Sequence, residues 1–266
     1  MKLLLASAVA FLVASPAQAQ LATPNPAGVT FGHLHLNVTD IEVHKKLWTE
    51  HFGGVVVQKG SLTTVRLPGT LIVLTKRVPS GDQEGSVLDH LGFKVANLKE
   101  FLEGWRASGY EVMREFTGVE ETPNAYLIAP DQVKIELQEE TTLPVKAAAY
   151  HIHFFTSEYA ELMDWYSDLF LLEPRARGLL RYTADAPGMN LSFSNSRTVR
   201  VATRGRSLDH IGFEVDDLEA FVEMLEARGI MFDVPYREVP SIELKIAFFT
   251  DPSGVYIELT EGLDKY

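Results

Sequence analysis

Two stretches of nearly the same sequence decide the fold: Leu88–Val95 reads LDHLGFKV, and Leu208–Val215, 120 residues later, reads LDHIGFEV. Apolar and polar residues alternate in both stretches, which predicts β-strands. Each strand runs into a segment with apolar residues at helical spacing. These residues are Leu98, Phe101, Leu102 and Trp105 in the first copy, and Leu218, Phe221, Val222 and Leu225 in the second. The sequence therefore repeats a strand followed by a helix.

The repeat continues on both sides of these stretches. A closing strand is predicted at residues 130–137 (PDQVKIEL), which match residues 252–259 (PSGVYIEL). Weaker copies of the opening strand occur at residues 32–38 (GHLHLNV) and 150–155 (YHIHFF). Each copy is followed by a helix and about three strands joined by Gly/Pro turns. We therefore predict an α+β fold of four βαβββ modules.

Domain and helix boundaries follow from the same pattern. Consecutive modules are expected to pair, which gives an N-terminal domain at residues 30–140 and a C-terminal domain at residues 147–262, joined near residues 141–149. Asn and Asp are favoured N-caps, and Gly commonly follows the end of a helix. The expected caps are Asn97 and Asp216, and the expected helix ends are Gly109 and Gly229.

The first residues resemble a targeting segment. Lys2 precedes an apolar run at residues 3–13, and Ala17 and Ala19 form a small-x-small cleavage signature. We therefore expect residues 1–19 to be a secretory signal peptide and the mature chain to be periplasmic or secreted. A membrane anchor is the alternative, but the apolar run is shorter than the roughly 20 residues that span a bilayer. No other segment of the sequence is long and apolar enough to span one.

Composition narrows the function classes. The 266 residues carry a formal net charge of −12, are 46% hydrophobic and include no cysteine. An acidic chain without a Lys/Arg run argues against nucleic acid as a partner and favours a small-molecule substrate. The absence of cysteine excludes disulfides, thiolate zinc sites and iron–sulfur clusters. Any metal must be bound by nitrogen and oxygen.

The sequence resembles the vicinal oxygen chelate (VOC) superfamily, which includes glyoxalase I, extradiol dioxygenases, fosfomycin and bleomycin resistance proteins, and methylmalonyl-CoA epimerase. The resemblance covers residues 30 to about 262 and is most specific at residues 209–213 (DHIGF) and 251–258 (DPSGVYIE). It implies that each module forms half of a cup and that two modules close one cup. It also implies that metal ligands come from the first and last strands of the modules.

Six residues occupy those strand positions, with closely matching separations in the two halves. The predicted sites are His151, His210 and Glu258 in the C-terminal half, with a second site at His33, His90 and Glu136 in the N-terminal half. The fourth slot of glyoxalase I is not filled by a carboxylate, since Val73 and Ser192 stand there. Two His and one carboxylate leave open positions on Fe(II), the favoured metal, although zinc or Mn²⁺ also fits.

Further side chains are expected to face the same cups. His35 and His153 lie two residues after proposed ligands, and are either general bases or surplus imidazoles. Tyr256 lies two residues before Glu258 and is either a hydrogen-bond donor to an oxyanion or an ordinary aromatic residue on a sheet face. Lys134 occupies the equivalent position in the N-terminal half. Module three is rich in arginine, either as strand-edge charges or to hold a substrate carboxylate. These arginines are Arg175, Arg177, Arg181, Arg197, Arg200, Arg204 and Arg206.

We therefore expect an exported, divalent-metal-dependent enzyme that acts on a small molecule with two adjacent oxygens, either neutral or anionic. Both extradiol-type ring cleavage and glyoxalase-type lyase or isomerase chemistry fit. Extradiol enzymes carry additional histidines in their catalytic half, whereas residues 154–266 contain only His210, so proton transfer there would depend on His153. The alternative from another class is a non-catalytic binding protein of the bleomycin-resistance type. The sequence does not indicate the oligomeric state.

Overall fold

The computed structural model of the chain describes residues 21–266. The expected signal peptide at residues 1–19 lies outside the described residues, so export stays a prediction. Within residues 21–266, no helix is long and apolar enough to cross a membrane.

The predicted order of one strand, one helix and three strands occurs four times. Module one contains β1 (Val29–Val38), α1 (Ile41–Glu50), β2 (Val55–Lys59), β3 (Leu62–Leu67) and β4 (Thr70–Lys76). Module two contains β5 (Leu88–Val95), α2 (Leu98–Ala107), β6 (Glu111–Thr117), β7 (Pro123–Ala129) and β8 (Val133–Glu139). Module three contains β9 (Ala147–Thr156), α3 (Tyr159–Phe170), β10 (Glu173–Pro174), β11 (Thr183–Ala186) and β12 (Met189–Asn195). Module four contains β13 (Leu208–Val215), α4 (Leu218–Ala227), β14 (Phe232–Val239), β15 (Leu244–Thr250) and β16 (Tyr256–Glu261).

The modules combine into two eight-stranded sheets, but not in consecutive pairs. One sheet has the order β14-β15-β16-β13-β1-β4-β3-β2, and we call it the outer-module sheet because it joins modules one and four. The other has the order β10-β11-β12-β9-β5-β8-β7-β6, and we call it the inner-module sheet because it joins modules two and three. The prediction that consecutive modules close one cup is therefore wrong. Its physical basis was weak, because all four opening strands have the same pattern and any two of them could pair.

Consecutive modules instead meet through their helices. Trp48 of α1 packs on Phe93 of β5, with ring centroids 5.7 Å apart, and Phe52 packs on Phe101 of α2 at 5.2 Å. In the other half, Phe170 of α3 stacks on Phe213 of β13 at 4.2 Å. Every module thus shares a sheet with one neighbour and an apolar core with another. Such interlocking contacts favour cooperative unfolding of the described chain.

Local signals set most of the helix boundaries as expected. Asn97 caps α2 by accepting a hydrogen bond from the backbone N–H of Glu100, and the helices α2 and α4 are followed by Gly109 and Gly229 at positive φ. The N-cap of α4 is Asp217, which accepts from the backbone N–H of Ala220. The expectation of Asp216 was wrong by one residue, because two adjacent aspartates offer the same capping group.

Candidate metal centres

The outer-module sheet brings together one carboxylate and two imidazoles. His33 lies on β1, His210 on β13 and Glu258 on β16, and all three are buried. Oε2 of Glu258 lies 2.9 Å from Nε2 of His33 and 3.0 Å from Nε2 of His210. We call this cluster the outer-module centre.

The inner-module sheet repeats the arrangement with the equivalent residues of the other two modules. His90 lies on β5, Glu136 on β8 and His151 on β9, again all buried. Oε2 of Glu136 lies 2.7 Å from Nε2 of His90 and 3.3 Å from Nε2 of His151. We call this cluster the inner-module centre.

The six predicted residues therefore assemble into two clusters, but their predicted grouping was wrong. His151 does not join His210 and Glu258, and His33 does not join His90 and Glu136. The cause is the sheet order: β1 pairs with β13 and β9 pairs with β5. The opening histidines of the odd modules have thus exchanged partners relative to the prediction.

A glycine in the repeated DHxGF motif makes room for each exchanged histidine. Gly212 lies opposite His33 across the β1–β13 pair, and a Cβ at Gly212 would come within 2.0 Å of the His33 ring. Gly92 lies opposite His151, and a Cβ there would come within 2.1 Å of the His151 ring. The glycine that follows each even-module histidine by two residues therefore permits the odd-module imidazole to reach the centre.

An aspartate that was not singled out from the sequence orients each even-module histidine. Asp209 accepts a hydrogen bond from Nδ1 of His210 at 2.5 Å, and Asp89 accepts one from Nδ1 of His90 at 2.8 Å. A proton held at Nδ1 leaves the Nε2 lone pair facing the centre, as in metal-binding histidines. The signal was present in the sequence, because both even modules carry an Asp-His pair.

Burial and these contacts set the charges of the outer-module centre. Burial alone would lower the pKa of His210, but hydrogen bonds with Asp209 and Glu258 outweigh it and raise that pKa. Burial opposes ionisation of Glu258, yet the hydrogen bond with His210 and the close imidazole of His33 hold the pKa of Glu258 well below its usual range. The centre therefore presents an ionised carboxylate beside two imidazoles.

The unpaired nitrogens fit a divalent metal. Both ring nitrogens of buried His33, and Nδ1 of buried His151, have no hydrogen-bond partner among the described residues. Nε2 of His33 is close to Glu258 without being aligned for a hydrogen bond. Two ligands about 2.1 Å from one ion and at right angles lie about 3.0 Å apart. The separations in the outer-module centre match that value, so an ion would satisfy groups that are costly to bury unpaired.

His35 and His153 lie beside the centres, one on each sheet, in the positions expected from alternation. Nε2 of His35 lies 2.8 Å from Oγ1 of Thr75, and Nε2 of His153 lies 2.8 Å from Oγ of Ser194. Burial lowers the pKa of both imidazoles well below the ordinary value. His153 belongs to the inner-module centre, so it does not serve the centre of His210 as predicted.

Tyr256 lies at the outer-module centre, so it and His153 flank different clusters. Its ring contacts His210 edge-on with centroids 5.6 Å apart and stacks on Phe248 at 5.0 Å. The guanidinium carbon of Arg204 lies over the Tyr256 ring, 4.5 Å from its centroid. Tyr256 thus faces the predicted histidine while it also packs as an ordinary aromatic residue.

The arginines of module three have separate surroundings. Arg175 pairs with Asp185 at the surface, and Arg206 pairs with Asp82. Arg177 alone among the seven is fully buried, and it contacts Glu120 at the inner-module sheet. Of the two readings drawn from the sequence, strand-edge charge describes Arg175, whereas Arg177 lies inside the sheet assembly.

Comparisons with known proteins agree with this architecture. Residues 149–259 match the family model described as the Glyoxalase/Bleomycin resistance protein/Dioxygenase superfamily. Glyoxalase I from Zea mays superposes with a TM-score of 0.67 at 17% identity, over 89% of this chain and 94% of that one. A Bacillus subtilis subsp. subtilis str. 168 protein with a provisional assignment as a dioxygenase gives 0.66 at 10% identity, over 91% of this chain and 86% of that one. No curated protein matches the chain significantly.

The fold and its paired His/Glu clusters define a protein built from four VOC-type βαβββ modules. Residues 149–259 match the Glyoxalase/Bleomycin resistance protein/Dioxygenase superfamily, and the described chain as a whole has the fold of glyoxalase I. At these identities the solved structures establish the fold and leave the reaction to be argued from the site.

Proposed function

We propose that the protein is a divalent-metal-dependent enzyme that acts on a small molecule with two adjacent oxygens. One metal would be held by His33, His210 and Glu258, and a second by His90, His151 and Glu136. The observation that carries the proposal is a pair of buried clusters in which imidazoles with unpaired nitrogens meet one carboxylate. Buried polar groups without partners are rare in structural sites, and a bound cation would satisfy them.

Fe(II) is the favoured metal, with zinc or Mn²⁺ as alternatives, because two imidazoles and one carboxylate suit all three. When bound, the metal would supply Lewis acidity that stabilises charge developing on the two substrate oxygens. In the outer-module centre, Asp209 fixes the orientation of His210, and Glu258 offsets part of the positive charge. His35 has a buried Nδ1 without a partner, which can accept a proton from a substrate oxygen.

Metal analysis with matched variants tests the proposal. The full chain is stripped with chelator, loaded anaerobically with Fe(II), Mn²⁺ or Zn²⁺, and passed through a desalting column. We expect two ions per chain, and one after Glu258→Gln or His210→Ala. Glu223→Gln, at an exposed position of α4, is the control and keeps both. A wild-type chain that retains none of the three metals contradicts the proposal.

The reaction class is tested on the loaded protein. Ring-cleaving oxygenation consumes O₂ together with a catechol, whereas lyase or isomerase chemistry proceeds under argon. We favour oxygenation for the Fe(II) form because the ligand set leaves positions open for both reactants. Turnover that is equal with and without O₂ supports glyoxalase-type chemistry instead.

A non-catalytic binding protein is the second candidate, favoured by one observation. His33, His35 and Glu258 border a cavity of about 230 Å³ with mainly apolar walls. An apolar cavity can retain a ligand without any chemistry. Tight binding of a ligand that the metal-loaded protein leaves unchanged would support this candidate.

Export is part of the proposal and rests only on residues 1–19. Expression of the full chain in a Gram-negative host is expected to place protein that begins at Gln20 in the periplasmic fraction. Mass spectrometry of that fraction identifies the first residue. Protein that keeps residues 1–19 and stays in the cytoplasm contradicts export without bearing on the metal centres.

A further inference from the structure

A buried arginine distinguishes the surroundings of the two centres. The Arg177 side chain is only 2% exposed, and its guanidinium has three partners. Nη1 donates to Oγ of Ser192 at 2.8 Å, Nε donates to the Tyr150 hydroxyl at 3.0 Å, and Nη2 donates to Oε2 of Glu120 at 3.3 Å. Tyr150 immediately precedes His151, so this network borders the inner-module centre.

The corresponding place in the outer-module sheet is open. Ser192 pairs with His153 in the β12–β9 register, just as Val73 pairs with His35 in the β4–β1 register. Val73 lines the cavity of about 230 Å³ beside the outer-module centre. The Arg177 guanidinium, which bonds Ser192, therefore stands where the other sheet leaves free volume.

The loop that carries Arg177 is fixed to the facing module. A Cβ at Gly178 would come within 1.8 Å of the Val119 carbonyl oxygen, and the Leu179 N–H donates to that oxygen at 3.3 Å. Glu120, the next residue, is the ionic partner of Arg177. Because a buried charge that loses its partner is strongly destabilising, the arginine is held in place.

The walls of the outer cavity indicate what it accepts. Most are apolar, with Arg237 at an exposed position. The apolar walls include Leu62, Val73, Val239, Ile246, Phe248 and Leu263. An apolar cavity of about 150 Å³ is large enough to bind benzene, so a single substituted ring or a short branched chain fits the outer cavity.

We propose that the outer-module centre alone admits substrate, a molecule with a compact apolar body, and that Arg177 closes the inner-module centre. This inference rests on the proposed function, since it assigns the substrate to one of the two proposed metal sites. The inner-module centre then holds an ion without turnover.

Catechol binding to the zinc-loaded full chain tests the inference, because zinc is redox-inert and catechol carries two adjacent oxygens on one ring. Calorimetry is expected to give one catechol per chain although two zinc ions are bound. Val73→Phe fills the outer cavity and should weaken binding by about 30-fold. Val55→Phe adds the same bulk at an exposed position of β2 that does not line the cavity, so it is the matched control and should leave both affinity and stoichiometry unchanged.

The converse variant opens the inner-module centre. Because Arg177→Ala alone leaves Glu120 without its partner, the double variant Arg177→Ala/Glu120→Gln removes both charges, and circular dichroism checks its fold. We expect a second equivalent of catechol. Two equivalents in the wild type, a single equivalent in the folded double variant, or binding that resists Val73→Phe overturns the inference.

Failure of the proposed function gives a different result. If the wild type retains no metal, the enzyme proposal fails, and catechol titration of the metal-free chain still tests the cavity. Weaker binding that Val73→Phe abolishes supports the outer site as the ligand site. Binding that Val73→Phe leaves intact, or no binding at all, contradicts it.

Discussion

The two centres share their clustered residues and differ in their walls. Each has two histidines, one glutamate, an aspartate behind the even-module histidine and a glycine opposite the odd-module histidine. The neighbouring strands contribute different side chains at equivalent register positions. These are Leu71, Val73, Ile246 and Phe248 in the outer-module sheet, and Asn190, Ser192, Asn124 and Tyr126 in the inner-module sheet. The strands that carry the clustered histidines and glutamates are thus duplicated, whereas the strands beside them give the two centres different walls.

The walls also change how the glutamates are held. Asn124 donates from Nδ2 to Oε1 of Glu136 at 2.6 Å, so both oxygens of that carboxylate are engaged. Ile246 takes the place of Asn124 in the outer-module sheet, and Glu258 borders the cavity. Glu258 is therefore open to a small molecule in the cavity, whereas Glu136 is held by contacts at both oxygens.

Matched substitution of the two glutamates should produce the largest difference between the centres. Glu258→Gln and Glu136→Gln each remove one ligand charge, so each chain should bind one ion in place of two. Turnover should fall at least 10³-fold for Glu258→Gln, since the metal contributes several kcal/mol to the transition state. It should stay within about threefold for Glu136→Gln, as the remaining site is intact. Steady-state kinetics with metal analysis checks both, and an equal loss in the two variants would remove the asymmetry.

A titratable carboxylate near the outer cavity should make stability depend on pH. Oε1 of Glu214 accepts from the backbone N–H groups of Gly262 and Leu263, and Leu263 lines the cavity. Burial outweighs these bonds and raises the pKa of Glu214 from 4.5 to about 7. The folded chain therefore holds a proton that the unfolded chain releases, so the free energy of unfolding falls as pH rises from about 4.5 to 7.

The shift corresponds to about 3 kcal/mol, at about 1.4 kcal/mol per pH unit. Glu214→Gln should remove this loss, and urea denaturation at pH 5 and pH 8 measures it. Lys94 is the equivalent residue in module two, and Lys94→Gln is the control expected to keep the wild-type slope. If Glu214→Gln unfolds with the same pH dependence as the wild type, Glu214 does not titrate in this range.

The aspartates behind the histidines should act on one centre each. Asp209 also accepts from Nδ2 of Asn37 at 2.8 Å and from the Gly205 N–H at 2.7 Å. Asp209→Asn disturbs this arrangement and should lower the metal affinity of the outer-module centre by about 10- to 100-fold. Asp89→Asn should lower the metal affinity of the inner-module centre by a similar factor. Competition with a coloured chelator separates the two affinities, and a change at both centres from one variant would show a general loss of structure.

The repeated modules and their clustered residues were predictable from the sequence. The choice of which opening strands pair with each other was not. Four modules and six clustered residues were recognisable because each signal recurs at matching positions. The pairing of β1 with β13 was not, since the four opening strands alternate alike. Gly92 and Gly212 each accommodate a bulky group on the facing strand, but β1 and β9 both supply a histidine there, so the glycines do not tell one partner from the other.

Arg177 shows a second limit of prediction from the sequence. It lies in a segment with six other arginines, and nothing in its local pattern separates it from exposed Arg175. Its burial depends on Ser192, two strands away in the chain, and on Glu120 in another module. The selectivity inferred for the two centres therefore follows from tertiary contacts, whereas the ligand type follows from local sequence.

The smallest expected difference between the centres is the effect on kcat of substituting Tyr256 or its inner-module counterpart Lys134. Burial raises the pKa of Tyr256, so its hydroxyl stays protonated and can donate to an oxyanion. Loss of one such hydrogen bond corresponds to about 1.4 kcal/mol, or tenfold. Tyr256→Phe should lower kcat by that factor with both metals retained.

Lys134 donates to Asp89 at 2.6 Å. Lys134→Met should therefore lower only the metal affinity of the inner-module centre and leave kcat unchanged. The two variants thereby separate a role in catalysis from a role in packing. If Tyr256→Phe keeps full kcat and lowers only the melting temperature, the stacking of its ring on Phe248 is its whole contribution. The outer-module centre would then have His35 as its remaining proton-transfer group, because His153 lies on the other sheet.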